Sequence, residues 1–206
     1  ILNTSATITV NSSKSYVGGI AGWADTNAVL IRASVVGSIN STGTRVGGVA
    51  GRSDASIGLA RSAASVTGDD YVGGLVGIQQ TNGEIEHSYV TGDVTGTGAR
   101  IGGLVGTTTG TVETSYMAGA TTGKTLVGGL VGYQNDDVLT MSYARGSVTG
   151  SSDVGGVVGG INGGTVTNTY WDKASTNQNA AVGSGSPGSD VVGFGTSSAT
   201  GPATEM

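Results

Sequence analysis

Val72-Gly73-Gly74-Leu75-Val76-Gly77 decides the fold, because variants of it occur six times along the chain. The other copies occupy residues 17–22, 46–51, 101–106, 127–132 and 154–159, with starts 26 to 29 residues apart. Self-similarity at such a period marks a repeat architecture, in which one supersecondary unit stacks on the next and buries a core shared between neighbours.

Two further segments recur between the glycine motifs. The first reads apolar-x-x-Ser-Tyr, at residues 85–89, 112–116 and 139–143. Residues 166–170 place Thr169 at the Ser position, residues 31–35 place Val35 at the Tyr position, and the copy beginning at Ile57 has Ala60 and Arg61 there. The second reads Val-Thr-Gly at residues 66–68, 94–96 and 148–150, with weaker copies at 121–123 and 39–41. Nine residues separate the apolar anchors of the two segments in four repeats, against eight if Ile31 is the anchor of the early one. Length varies instead after the glycine motif, where 11 to 14 residues separate its first residue from the next anchor. Slack confined to one place means a corner that can bulge outward.

Three short segments of β-branched and small residues per period predict an all-β fold, a parallel β-solenoid of about six coils of about 27 residues. Helices are disfavoured, since each interior Gly costs about 1 kcal/mol and no 3.6-residue stripe persists. In a solenoid each coil pairs with its neighbours at about 4.8 Å, so like residues stack into ladders and six coils make a rod of about 30 Å. The expected repeats span residues 1–172. Residues 173–206 change in character and are expected to be a C-terminal cap or linker, folding back over the last coil with Trp171 and Phe194 buried against it.

Composition narrows the alternatives. Of 206 residues 40 are Gly but only 2 are Pro, which excludes collagen. The net charge of -5 and the fixed apolar register oppose disorder. With no Cys there is no disulfide and no thiolate metal site. No apolar run reaches the length of a membrane helix, so membrane insertion is not expected, and an acidic chain poor in Lys and Arg is not expected to bind nucleic acid. The opening at Ile1 predicts a piece of a longer protein.

The paired glycines are Gly18 and Gly19, Gly47 and Gly48, Gly73 and Gly74, Gly102 and Gly103, Gly128 and Gly129, and Gly155 and Gly156. They are expected to serve a corner of positive φ or a stack too tight for a Cβ. Substitution at Gly185, in the tail, is expected to be milder. The residue before each motif runs Tyr16, Arg45, Tyr71, Arg100, Leu126, Asp153. If that position faces solvent, Tyr and Arg alternate up one edge and contribute about 0.5–1 kcal/mol per cation–π contact.

Chemistry-bearing residues are sparse. His87 is the single His, and its register mates Thr114 and Met141 build no ladder, so neither a zinc site nor a His-Glu-x-x-His centre is present. Glu86 and Glu113 stack one coil apart, but Thr140 and Thr167 end that column, and Asp69-Asp70 and Asp136-Asp137 fall in different segments. No catalytic residue, metal site or cofactor is expected. The column Thr67, Thr95, Thr122, Thr149 lacks the second flanking column of an ice-binding array. Tyr89, Tyr116, Tyr143 and Tyr170 form the longest aromatic column. It is a candidate binding ladder if exposed and a stiffening stack if buried.

The Gly-Leu-apolar-Gly strings at residues 74–77, 103–106 and 129–132 resemble the GLUG motif, as do the Ser-Tyr-x-x-Gly-x-Val-x-Gly strings at 88–96 and 142–150 and the terminal Tyr170-Trp171-Asp172. This resemblance implies a secreted or surface-exposed bacterial repeat protein of the filamentous-haemagglutinin-like adhesin kind. It implies a host or bacterial surface protein or glycan as partner and supplies no catalytic residues. The chain is expected to be monomeric. A second reading is a non-catalytic β-helical module of a secreted protease, immunoglobulin A protease-like, or of a glycan-active enzyme.

Overall fold

A computed structural model describes residues 1–80, 83–136, 138–188 and 190–195. The chain winds as a parallel β-solenoid of about seven turns. Four parallel sheets run along it, and every strand pairs with the equivalent strand of the coil above or below. One sheet carries the anchors, from Val29–Ile31 to Thr165–Thr167. Beyond a corner, a longer sheet holds the Ser-Tyr and Val-Thr-Gly strands. A third sheet begins each glycine motif, from Val17–Gly18 to Ser152–Gly155, and a fourth ends it, from Ala21–Ala24 to Val182–Ser184.

The interior is a set of ladders. Ile57, Ile85, Val112, Leu139 and Val166 stack in register and are buried. Val66, Val94, Thr121 and Val148 do the same on the long sheet. The central residue of the glycine motif fills the remaining space, with Val49, Leu75, Leu104, Leu130 and Val157 fully buried. A fully buried Leu or Val contributes about 1.5–3 kcal/mol by its removal from water. The first anchor differs from expectation: Leu30, not Ile31, pairs with Ile57 and is fully buried, while Ile31 pairs with Gly58. The nine-residue spacing to Ile39 then holds in this coil as well. Two adjacent apolar residues left the phase open; the corner at Arg32 fixes it.

Corners are made by left-handed residues other than glycine. Arg32, Leu59, His87, Thr114, Met141 and Asn168 form one column, with φ between 46° and 55°. Tyr16, Arg45, Tyr71, Arg100, Leu126 and Asp153 form another, with φ between 53° and 64°. Each costs about 1–2 kcal/mol intrinsically. The surroundings hold them in place, because backbone pairing runs straight through the corner: Arg45 N–H donates to Asp70 O at 3.0 Å and Val46 N–H to Tyr71 O at 3.1 Å. None of the twelve paired glycines has positive φ. Their requirement is space. A Cβ on Gly73 would meet the carbonyl oxygens of Val76 and Leu104, and one on Gly74 would meet Gly103 O and the Val90 side chain.

The Ser of the Ser-Tyr segment ties successive coils together. Ser115 Oγ donates to Glu113 O at 2.7 Å and accepts from Ser88 N at 3.1 Å, and Ser142 repeats the pattern with Thr140 O and Ser115 N. The variable corner is bridged from inside by a polar column. Ser53 and Thr108 lie four residues before the next anchor and bond to Ala55 O and Gly110 O. Gln79 and Gln134 lie six and five residues before theirs and reach Ala55 O and Thr165 O.

Beyond Trp171 the coil path continues rather than folding back. Val182–Ser184 pairs with Val158–Asn162 as the last strand of the fourth sheet, and Val191–Phe194 pairs with Thr169–Asp172. Residues 181–183, Ala-Val-Gly, thereby occupy the place of a degenerate glycine motif. Directly after Thr169–Asp172 a short helix, Lys173–Thr176, is capped by the Asp172 carboxylate. Gln178 Nε2 donates to Val148 O at 2.8 Å, so this segment lies against the edge of the Val148–Thr149 strand. An edge covered this way no longer templates another chain. Trp171 is buried, with its indole N–H donating to Gln178 O at 2.9 Å, whereas Phe194 is half-buried on the outer face. Gly185 corrects the expectation of mildness: its φ is +92° and a Cβ there would lie 2.6 Å from Ile161 O. Residues 196–206 lie outside the described residues.

Candidate functional site

The strand pairing places the tyrosine ladder on the outer face. Tyr89, Tyr116, Tyr143 and Tyr170 are in register on one sheet, with Arg61 below and Val192 above. Val90, Met117, Ala144 and Trp171, the next residues along, point inward and are buried. Tyr89 and Tyr116 stack at 5.0 Å with planes 1° apart, and Tyr170 stacks on Phe194 at 5.5 Å. Tyr116 and Tyr170 are exposed. Tyr143 is half-buried, and burial, followed by the nearby Asp172 carboxylate, raises its pKa above the usual tyrosine value. The ladder is thus stacked at Tyr89–Tyr116 and Tyr170–Phe194 and accessible at Tyr116 and Tyr170.

A second surface grows from the glycine motif. Because the motif closes so tightly, the residue before it and the residue after it become neighbours on the outside. Gly77 packs against the backbone of Arg45 and Val46, which leaves no room for a side chain between the two columns. The corner column is Tyr16, Arg45, Tyr71, Arg100. The companion column is Trp23, Arg52, Ile78, Thr107, Tyr133. Tyr16 and Trp23 stack at 6.3 Å across them. The Arg45 guanidinium lies 5.0 Å from the Tyr16 ring and 5.3 Å from Tyr71; Arg100 lies 5.0 Å from Tyr71 and 5.4 Å from Tyr133. The alternation expected from sequence is therefore physical. The companion column was not legible, because Trp23, Arg52 and Tyr133 recur at no common residue type. Arg52 sits 4.4 Å over Trp23 and makes a two-point ion pair with Asp54, which also accepts from the Trp23 indole at 3.2 Å. The Asp54 bonds raise the Arg52 pKa.

The remaining candidates are surface groups. His87 is exposed at a corner, 3.4 Å from Glu86. Glu84, Glu86 and Glu113 bring carboxylate oxygens within 4.8 Å of one another. They are the one place among the described residues where a cation could be shared, although calcium takes six to eight oxygens. Asp69 and Asp70 are used locally, accepting from Thr97 Oγ1 at 2.7 Å and Ala99 N at 2.6 Å. Asp137 lies outside the described residues. The Thr column is in register and outward, continued by Asn40 and Asn11, whose amides bond at 3.2 Å. Among the described residues no helix is long and apolar enough to cross a membrane.

Fold and motif together define a class, the β-helical repeat modules. Within it, residues 68–95 match the family model of the GLUG motif, a span covering one coil from its first glycine corner to the next Val-Thr pair. No curated protein and no solved structure matches the chain.

Proposed function

We propose that the chain is a structural and adhesive segment of a bacterial cell-surface or secreted adhesin. It extends as a rod and presents outward ladders to a host or neighbouring cell. The observation supporting this is the parallel pairing of equivalent strands along the coils, which lines single exposed side chains up into linear surfaces. Repeats that contact only their neighbours suit a spacer, because length is gained by adding coils. We further propose that the segment has no catalytic activity and works as a monomer on a protein or glycan partner. Among the described residues the ion-pair partner of His87 is Glu86, not a nucleophile, and Asp54, Asp69, Asp70 and Asp172 are engaged by neighbouring side chains or backbone N–H groups.

A binding screen of this chain against glycan arrays and extracellular-matrix proteins tests the adhesive part. Saturable binding that Tyr116→Ala, or a variant of the two-column surface on either side of the glycine motif (the glycine-neck surface), weakens supports it. Absence of any ligand, together with turnover of a peptide or uronate substrate that His87→Ala abolishes, would replace it with an enzymatic reading.

A further inference from the structure

The glycine-neck surface has a composition and a spacing that point to one kind of ligand. Arg45 and Arg100 occupy the same corner column two coils apart, about 10 Å by the coil rise. Tyr16 and Tyr71 flank Arg45, and Tyr71 and Tyr133 flank Arg100. A guanidinium placed between rings keeps its planar fork of N–H donors for an oxyanion. Arg45 spends one donor on Thr44 Oγ1 and Arg100 one on the Tyr71 hydroxyl. Neither has an ion-pair partner among the described residues, whereas neighbouring Arg52 is neutralised by Asp54. Trp23, at one end of the surface, is 56% exposed.

Three polymers could meet such a face. An extended peptide presents same-side residues about every 6.7 Å, out of step with arginines about 10 Å apart. A nucleic acid strand carries a charge at every nucleotide, whereas the corner column sets the uncharged Tyr71 between Arg45 and Arg100. An extended pyranose chain advances one sugar in about the rise of one coil, and its hydroxyls can bond to tyrosine hydroxyls at the ring edges. A carboxylate on every second sugar then matches the alternation of Arg and Tyr. We propose that this two-column face binds an acidic polysaccharide lying along the rod, its uronate carboxylates on the guanidinium forks of Arg45 and Arg100 and the intervening sugars against the ring edges and hydroxyls, since the two guanidinia cover the faces of the Tyr71 ring. The proposal deepens the adhesive reading above and rests on it.

The test uses the whole chain and hyaluronan, whose uronates alternate with a neutral sugar. Dextran serves as the neutral polymer and oligo-dT as the nucleic acid. Affinity electrophoresis is expected to show binding to hyaluronan that weakens with salt, and none to dextran. Arg45→Gln/Arg100→Gln should weaken it at least about tenfold, the loss of one to two charge-assisted contacts. Trp23→Ala, an exposed site where folding is not at stake, should weaken it several-fold. Arg61→Gln, on the tyrosine ladder, should leave it unchanged. Hyaluronan binding no stronger than dextran binding overturns the proposal. So does an unchanged affinity in both the double variant and Trp23→Ala, or equal affinity for oligo-dT. If another ligand binds and is lost in Tyr116→Ala alone, this proposal fails while the adhesive reading stands.

Discussion

Replacing Gly103 by alanine isolates what the glycine motif is for. Its φ is not in the left-handed region, so the substitution carries no conformational penalty there and should by itself stabilise by about 0.4–1 kcal/mol through the unfolded chain. Space acts the other way. The new Cβ would meet Gly129 O of the next coil and the Met117 side chain. Met117 can shift, but Gly129 O is held by its place in the stack. Overpacking of this kind costs about 1–3 kcal/mol, and the net expectation is a loss of up to about 2.5 kcal/mol. At about 2–4 °C per kcal/mol for a chain of this size, the melting temperature falls by several degrees. Gly58→Ala is the matched control. Its Cβ meets only the Glu86 side chain, nearest at 3.2 Å, which is free to move. It should be neutral or slightly stabilising. Thermal melts followed by circular dichroism and urea titrations of both variants read the difference. Because coils contact chiefly their neighbours, a broadened transition is also expected for Gly103→Ala. If Gly103→Ala melts at or above the parent while Gly58→Ala does the same, close coil approach is not why the motif is glycine.

Gly185→Ala should lower the melting temperature as well, here through its positive φ combined with contact to Ile161 O. Ser115→Ala removes a buried hydroxyl that bonds to two coils and should cost about 1–3 kcal/mol in urea denaturation. Because Tyr143 has a raised pKa when folded, the folded state holds its proton longer than the unfolded one. Its contribution is intact below the ordinary tyrosine value of about 10 and stability falls as pH rises through it. Ultraviolet titration should show a late-ionising tyrosine that Tyr143→Phe removes. Truncation after Asp172 removes Gln178 and two strands, uncovering the edges at Val148–Thr149 and Val158–Asn162. Light scattering should then show oligomers with β circular dichroism retained, against a single-chain mass for the intact protein.

Periodicity alone determined the architecture. Six glycine motifs in fixed register, with apolar anchors nine residues apart, admit a stack of parallel coils and little else, because like residues must then meet like. The Tyr–Arg alternation before the motif was legible for the same reason: a column is visible whenever one position repeats. What the sequence left open was set by contacts between positions that share no pattern. Leu30 and Ile31 are equally apolar, and only the corner at Arg32 decides which faces inward. Left-handed corners at His87 or Tyr71 leave no trace in composition, since the flanking coils rather than glycine enforce them. Residues 181–183 form a seventh turn of the same stack although two of the motif's glycines and its leucine are gone. The pairing of Trp23, Arg52 and Tyr133 with the corner column exists only because the glycine neck closes. That juxtaposition joins residues on either side of a backbone fold, so tertiary structure alone brings the proposed binding face together.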